Sequence, residues 1–370
     1  MVRRTSAGMI ISRLSLQNFR NLREVSVSTH SQFNIFFGEN GSGKTSLLEA
    51  IYFLSHGRSF RSNLLNRLIT QDTAEFILFA ETQDTDSHSI GMSRQIKGEA
   101  RNRLDGKSVQ STVEIARLLP TLLFDPQSFD LLYAGSKGRR QMLDWGVFYQ
   151  KPEYIHLWQA ARKALKQRNA ALRSGHSKEQ LGLWAPILIE AAEQIDSYRN
   201  LYSEALIQTL QHILGEFLAL HQIQISYYRG WPKDETLASC LERSLEQDRK
   251  HSLTHYGPHR ADIKFKIKLQ PAAEILSRGQ QKTLICAIKL AQGLLFKQQT
   301  GKACIYLLDD IASELDHNHL QQIMQQLRSL GSQVFMSSIQ EDVLSPYLQN
   351  EEFNSYKVSE GTIFLKPKAS

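Results

Sequence analysis

Three glycines, a lysine and a threonine fall within the eight residues Gly38-Glu39-Asn40-Gly41-Ser42-Gly43-Lys44-Thr45. That spacing suits a phosphate. Glycines let the backbone wrap an anion with its N–H groups, and a helix opening at the lysine turns its positive dipole end toward the same charge. In this P-loop pattern Lys44 neutralises the outer phosphates and Thr45 sets its hydroxyl on Mg²⁺. Gly38, Glu39, Asn40, Gly41, Ser42, Gly43, Lys44, Thr45 and Ser46 are therefore the expected ATP-binding loop. A second cluster lies more than two-thirds of the chain away. Cys304-Ile305-Tyr306-Leu307-Leu308-Asp309-Asp310 is an apolar run ending in two carboxylates, a Walker B pattern. Charges at the end of a buried strand need a partner, and a Mg²⁺–phosphate site supplies one. Asp309 is the expected metal-side carboxylate. Asp310 is placed to polarise an attacking water, which makes Asp310 and Lys44 the expected catalytic residues.

Both clusters need strands that end where they begin. Phe33-Asn34-Ile35-Phe36-Phe37 is a short aromatic-rich strand feeding the glycine loop, and Ile10 to Phe19 is an earlier one. A helix starts at about Lys44, where Leu47, Ala50, Ile51 and Leu54 fall at i, i+3, i+4 and i+7 and predict one buried face. Phe76 to Arg103 holds several β-compatible runs, broken at Asp84-Thr85-Asp86 and Gly98, and Asp105-Gly106 marks a hairpin turn. Ala303 to Leu308 suits a parallel strand buried on both faces, and Val334-Phe335-Met336 suits another. From about Arg139 to Leu245 the composition is helical, with breaks near Ser174-Gly175, Gly182 to Pro186 and Gly230-Trp231-Pro232. The expected fold class is α/β: a nucleotide-binding head in two chain segments, 1–138 and 250–370, with an inserted helical lobe at 139–249.

The chain has 370 residues, 41% hydrophobic and 22% charged, enough for two or three packed domains. No run of about 18 apolar residues predicts a membrane span. Met1 to Gly8 carries two arginines with no apolar stretch behind them, so a secretory leader is not expected, and Met9 offers an alternative start. The net charge of +7 is mild support for a polyanion partner and equally fits an ordinary basic enzyme. Cys240, Cys286 and Cys304 are scattered and odd in number, which gives no zinc spacing or disulfide framework and fits a reducing cytoplasm. On the predicted lobe, Arg162, Lys166, Asn169 and Arg173 share one helix stripe. Such a track of cations is all that phosphate contact requires, and a solvated helix face looks the same. Arg139 and Arg140, with Arg58 and Arg61, are the alternative cations, facing either DNA, the nucleotide or a partner subunit.

Leu276-Ser277-Arg278-Gly279-Gln280-Gln281 opens another helix, whose buried stripe is Leu284, Ile288, Ala291 and Leu295. Alone, Ser277 is an N-cap. Together with Asp309-Asp310 and the following Ser313-Glu314-Leu315-Asp316, the chain resembles the ABC-type ATPases, with Ser277, Arg278, Gly279 and Gln280 as the signature and Ser313 to Asp316 as the D-loop. The resemblance implies an ATP-driven homodimer in which the signature of one subunit closes over the γ-phosphate held by the other. Leu16 to Asn21, Gly57 to Arg61, Gly135 to Arg140, Leu143-Asp144, Lys166 to Asn169 and Gly257-Pro258-His259-Arg260-Ala261-Asp262 narrow it. With the Ser-Arg-Gly-Gln signature, these segments resemble the RecF family in the SMC-like branch, in family order over nearly the whole chain. That resemblance implies ATP and Mg²⁺ as cofactors, binding to duplex and gapped or junction DNA, and action with RecR and RecO to load RecA. Asp310 stands where the wider class has glutamate, and Ser337-Ser338 stands where it has a histidine; both imply slow hydrolysis. Asp125-Pro126-Gln127 lies where a Q-loop should be, which makes Gln127 a further candidate for Mg²⁺. The ATPase subunit of a transporter and a non-catalytic ATP-binding scaffold are the alternative readings.

Overall fold

The computed structural model describes residues 8–84, 86–133, 135–217, 223–348 and 351–367. Met1 to Ala7, and with them most of the leader segment weighed above, lie outside them. The chain divides into two compact units, Asp130–Gln281 and the two segments that flank it. The 139–249 lobe expected from composition lies within the former.

The flanking segments build two sheets. One is antiparallel, in the order Leu22–Ser28, Ile10–Phe19, Glu75–Gln83, Ser87–Gln95, Ala100–Leu104 and Lys107–Ser108. Its alternation is that of a sheet with one face in a core: Leu14, Leu16, Leu78, Ala80, Ile90 and Met92 point inward and are buried. Asp105 and Gly106 both take positive φ, 53° and 75°, as a two-residue hairpin turn requires. The second sheet runs Thr362–Leu365, Phe353–Ser359, Phe33–Phe37, Gln333–Ser338, Ile305–Leu308 and Thr121–Phe124. All its neighbours are parallel except the Thr362–Leu365 edge pair. Every residue of Ile305–Leu308 and Gln333–Ser338 is buried, which accounts for the apolar runs Ile305–Leu308 and 334–336.

The helix Lys44–His56 packs in one apolar core with residues of both sheets, among them Phe19, Phe76, Leu307 and Phe335. Ten of its thirteen residues are buried. The single apolar face expected from Leu47, Ala50, Ile51 and Leu54 is therefore too narrow, because a helix covered by two sheets has no solvent side. Phe19 holds its place by edge-on contacts to Phe53 and Phe76, with centroids 6.4 and 5.0 Å away.

Asp130–Gln281 carries the helices Ser136–Gln150, Tyr154–Arg173 and Ala185–Phe217. It also holds a three-stranded antiparallel sheet of Gln270–Pro271, Asp262–Ile267 and Ile223–Tyr228. This sheet was not expected from the helical composition: Ile223–Tyr228 is short, and its partner follows more than thirty residues later. Ionic pairs occupy the interior of this unit. Arg199, 3% exposed, pairs with Asp144 at 2.7 Å and donates from Nη1 to the Pro258 carbonyl at 2.7 Å. The Tyr154 hydroxyl donates to the same Asp144 carboxylate at 2.5 Å. Removing one partner of a buried pair leaves the other charge unmet. Arg199→Ala should cost about 3 kcal/mol of stability, read as a lower urea midpoint, with Arg199→Lys losing less. A midpoint unchanged by the alanine would show the pair to be idle.

Candidate nucleotide site

The parallel strands deliver their carboxyl ends to one side of the sheet. Phe37 is level with Ser338, and Leu308 is level with both Met336 and Phe124. The glycine loop, the Asp309-Asp310 pair and Asp125 follow directly from three of these ends, at the crevice where open α/β sheets bind ligands.

The loop has the backbone it needs. Gly38 and Gly43 have φ of 153° and 122°. A Cβ on Gly38 would sit 2.1 Å from the Val358 carbonyl, and one on Gly43 would sit 2.7 Å from the Leu22 side chain. No side chain caps the start of Lys44–His56, whereas Ser111, Ser177, Thr236 and Asp316 cap their helices. The first amides of that helix are left to an anion, reinforced by the helix dipole. Lys44 Nζ donates to the carbonyls of Gly38 at 2.6 Å and Glu39 at 2.7 Å, which holds the ammonium across the mouth of the loop. Burial lowers its pKa from the ordinary value, against the pull of Asp310 and Asp309.

The two sequence clusters meet. Thr45 Oγ1 donates to Asp309 Oδ1 at 2.9 Å, across 264 residues of chain. Ser337 Oγ donates to the same oxygen at 2.8 Å and accepts from the Asp310 amide at 2.9 Å. One hydroxyl therefore ties the Asp309 carboxylate to the Asp310 backbone. Mg²⁺ takes one or two protein oxygens and completes its octahedron with phosphate and water, so the adjacent Thr45 and Asp309 oxygens fit it. Asp309 is 7% exposed, and burial raises its carboxyl above the ordinary value of 3.8, although the Ser337 and Thr45 hydrogen bonds oppose the shift. The folded state thus holds that proton more tightly than the unfolded chain, and stability falls as pH rises from about 3.8. At neutral pH, without metal, Asp309→Asn should raise the melting temperature by roughly 2 °C. The gain should vanish near pH 4, while Mg²⁺-dependent turnover is lost. A lower melting temperature at neutral pH would contradict this electrostatic account.

Asp310 sits in the left-handed region, φ 52° and ψ 35°, before the Ile311–Glu314 turn. Its Oδ2 accepts from Ser313 Oγ at 2.9 Å. Asp316 caps the next helix by accepting from the His319 amide at 3.1 Å. Asp125 is buried after Thr121–Phe124 and accepts from the Ser128 amide, whereas Gln127 is exposed on the 126–132 turn. Asn21 was part of a matching segment but had no assigned role. Its Nδ2 donates to the Gly41 carbonyl at 2.9 Å and its Oδ1 accepts from Ser46 Oγ at 2.8 Å, a clamp on both sides of the loop. The Gly361 amide donates to the Ser42 carbonyl at 3.1 Å, so the C-terminal hairpin also braces it.

In the other unit, Ser277 and Gln280 form a reciprocal cap. Ser277 Oγ accepts from the Gln280 amide at 3.3 Å, and Gln280 Oε1 accepts from the Ser277 amide at 2.9 Å. Ser277, Arg278, Gly279 and Gln280 are all exposed. Gln281 anchors them from behind through Tyr133, Ala273 and Leu276. Two of the candidate DNA cations are engaged internally. Arg139 forms a two-pronged pair with Asp262, at 2.8 and 3.1 Å, and also donates to the Leu131 and Leu132 carbonyls. Arg140 donates to Ser136 Oγ and to the Ala261 carbonyl. The Arg139 donors and Arg140 Nη1 thus hold the fold. Arg162, Lys166 and Arg173 are exposed on Tyr154–Arg173, with Arg162 over the Trp158 ring at 5.1 Å. Asn169, on the same predicted stripe, turns inward and accepts from the Thr254 amide.

The family model described as "RecF/RecN/SMC N terminal domain" matches residues 10–362. The "DNA replication and repair protein RecF" of Proteus mirabilis is 41% identical over 365 residues, covering 97% of this chain and all of that one. Its namesake from Shewanella frigidimarina is 40% identical over 356 residues, covering 96% and 99%. A solved structure described as "recombination mediator protein RecF-ATP in RecFOR pathway" superposes with a TM-score of 0.88 at 26% identity, covering 99% of this chain and all of its own. The SMC head domain of Pyrococcus furiosus shares the fold, with a TM-score of 0.58 at 15% identity. By sequence over nearly its whole length and by fold, the chain belongs to the RecF family within the RecF/RecN/SMC group.

Proposed function

We propose that the chain is an ATP-driven DNA clamp of recombinational gap repair. The Thr45–Asp309 contact carries this reading, because it joins a phosphate loop to a metal-side carboxylate with Lys44 alongside. Lys44 and the uncapped helix amides bind the phosphates. Thr45 and Asp309 would hold Mg²⁺, with Gln127 a further candidate, and the bound metal would neutralise phosphate charge. Asp310 orients the attacking water. The Ser277–Gln280 cap of one copy covers the nucleotide held by a second copy, so ATP makes the dimer and slow hydrolysis releases it. The relatives' names support a role in DNA replication and repair, and the ATP-bound RecF structure supports ATP as the nucleotide.

The clamp takes duplex DNA, with preference for single-strand/double-strand junctions. Its phosphate contacts are assigned to Arg162, Lys166 and Arg173, the candidate cations exposed on Tyr154–Arg173. It acts with RecR and RecO to help load RecA, at the nucleoid. DNA should stimulate ATP turnover, and the stimulation should weaken between 50 and 200 mM salt, as phosphate contacts do. Charge reversal of Arg162 and Lys166 should lower the salt slope by about two. Turnover indifferent to gapped DNA at both salt concentrations would remove the clamp and leave an ATP-binding scaffold.

A further inference from the structure

The geometry points to a divalent transition-metal site at His251 and His255, apart from the nucleotide site. His251 ends the helix Leu245–His251, and His255 lies four residues on, beyond a left-handed Ser252. The His251 Nδ1 and His255 Nε2 atoms are 3.2 Å apart, and the ring centroids are 5.1 Å apart. Two imidazole nitrogens bound to one tetrahedral Zn²⁺ at 2.0–2.1 Å lie about 3.3 Å apart. The pair, now joined by a hydrogen bond, has the bite of a chelate once His251 carries its proton on Nε2 and leaves Nδ1 free for the metal.

The surroundings are those of a metal-binding imidazole. His255 Nδ1 is 2.7 Å from the Asp248 carboxylate, which also accepts from the His255 amide at 3.0 Å. A carboxylate accepts, so Nδ1 carries the proton and Nε2 is the lone-pair nitrogen. This carboxylate–histidine arrangement fixes the tautomer and the ring orientation of a ligating imidazole. Asp248 is fully buried and already ion-paired with Arg168 at 2.7 Å. His251 is exposed, so an ion has an open approach. Among the described residues no group of three or more His, Cys, Asp or Glu is placed to hold a metal. Water completes the coordination here, and the imidazole donors favour Zn²⁺, Ni²⁺ or Cu²⁺ over Mg²⁺. Bound metal would staple the helix end to the loop that leads into Gly257-Pro258-His259-Arg260.

The test uses untagged full-length chain, stripped with EDTA and exchanged into chelator-free buffer. Zn²⁺ is titrated by calorimetry, and Cu²⁺ is followed by its electron paramagnetic resonance. The expected results are one leading Zn²⁺ equivalent and a two-nitrogen Cu²⁺ signature. His251→Ala, an exposed position, and His255→Ala should each weaken that equivalent about tenfold or more, and His319→Ala should not. Because His251 contributes no buried contact, an intact melting curve for its variant separates lost binding from lost folding. Absence of a Zn²⁺ equivalent, or an equivalent untouched by His251→Ala, would overturn the site.

Discussion

Lys44→Ala will lower ATP turnover by about a thousandfold and abolish the rise in melting temperature that ATP and Mg²⁺ give the unmodified chain. The ammonium bridges the Gly38 and Glu39 carbonyls within the loop, with the helix amides beside it uncapped. It is therefore held where the phosphate charge must go, with no reorganisation needed at the moment of reaction. Stabilisation by a ligand follows its affinity for the folded state, so the lost thermal shift reports lost binding. Lys44→Arg should fall between, because a planar guanidinium cannot reproduce the compact contact to two carbonyls 2.6 and 2.7 Å away. A near-normal turnover in the alanine variant would mean that phosphate is bound elsewhere.

Asp310→Asn will separate hydrolysis from binding. Turnover should drop about a hundredfold, with ATP affinity close to that of the parent chain and longer-lived dimers on DNA. Asp310 bonds neither Thr45 nor Lys44; its side chain meets Ser313, and its amide meets Ser337. Asparagine tolerates the left-handed backbone found there and keeps an oxygen for Ser313. The substitution thus removes the negative charge proposed to orient the attacking water and little else. Single-turnover kinetics and DNA dissociation rates measure the two effects. A scaffold that uses ATP only to assemble would show no change in either.

The sequence displayed the parts of the site that depend on local spacing. The loop from Gly38 to Thr45 and the apolar strand ending at Asp309 each advertise themselves within a few residues, and so does the Asp105-Gly106 turn. The parts that depend on long-range pairing stayed hidden. Nothing adjacent to Arg139 shows that Asp262, 123 residues away, will take its guanidinium. Nothing near Ser337 shows that its hydroxyl will orient Asp309, and Asn21 is an ordinary turn residue until Gly41 and Ser46 are placed on either side of it. The strand Ile223–Tyr228 was obscured in the same way, because its ladder partner Asp262–Ile267 lies beyond two helices.

Sedimentation velocity of the full chain, without nucleotide, with ATP and Mg²⁺, and with gapped DNA added, tests the clamp most directly. The expected result is a monomer without nucleotide, a dimer with ATP and Mg²⁺, and a faster complex with DNA. Ser277→Arg should stay monomeric throughout, since the exposed cap is the surface proposed to meet the partner's nucleotide. A chain that remains monomeric with ATP and DNA, or that dimerises equally without nucleotide, would contradict an ATP-driven clamp.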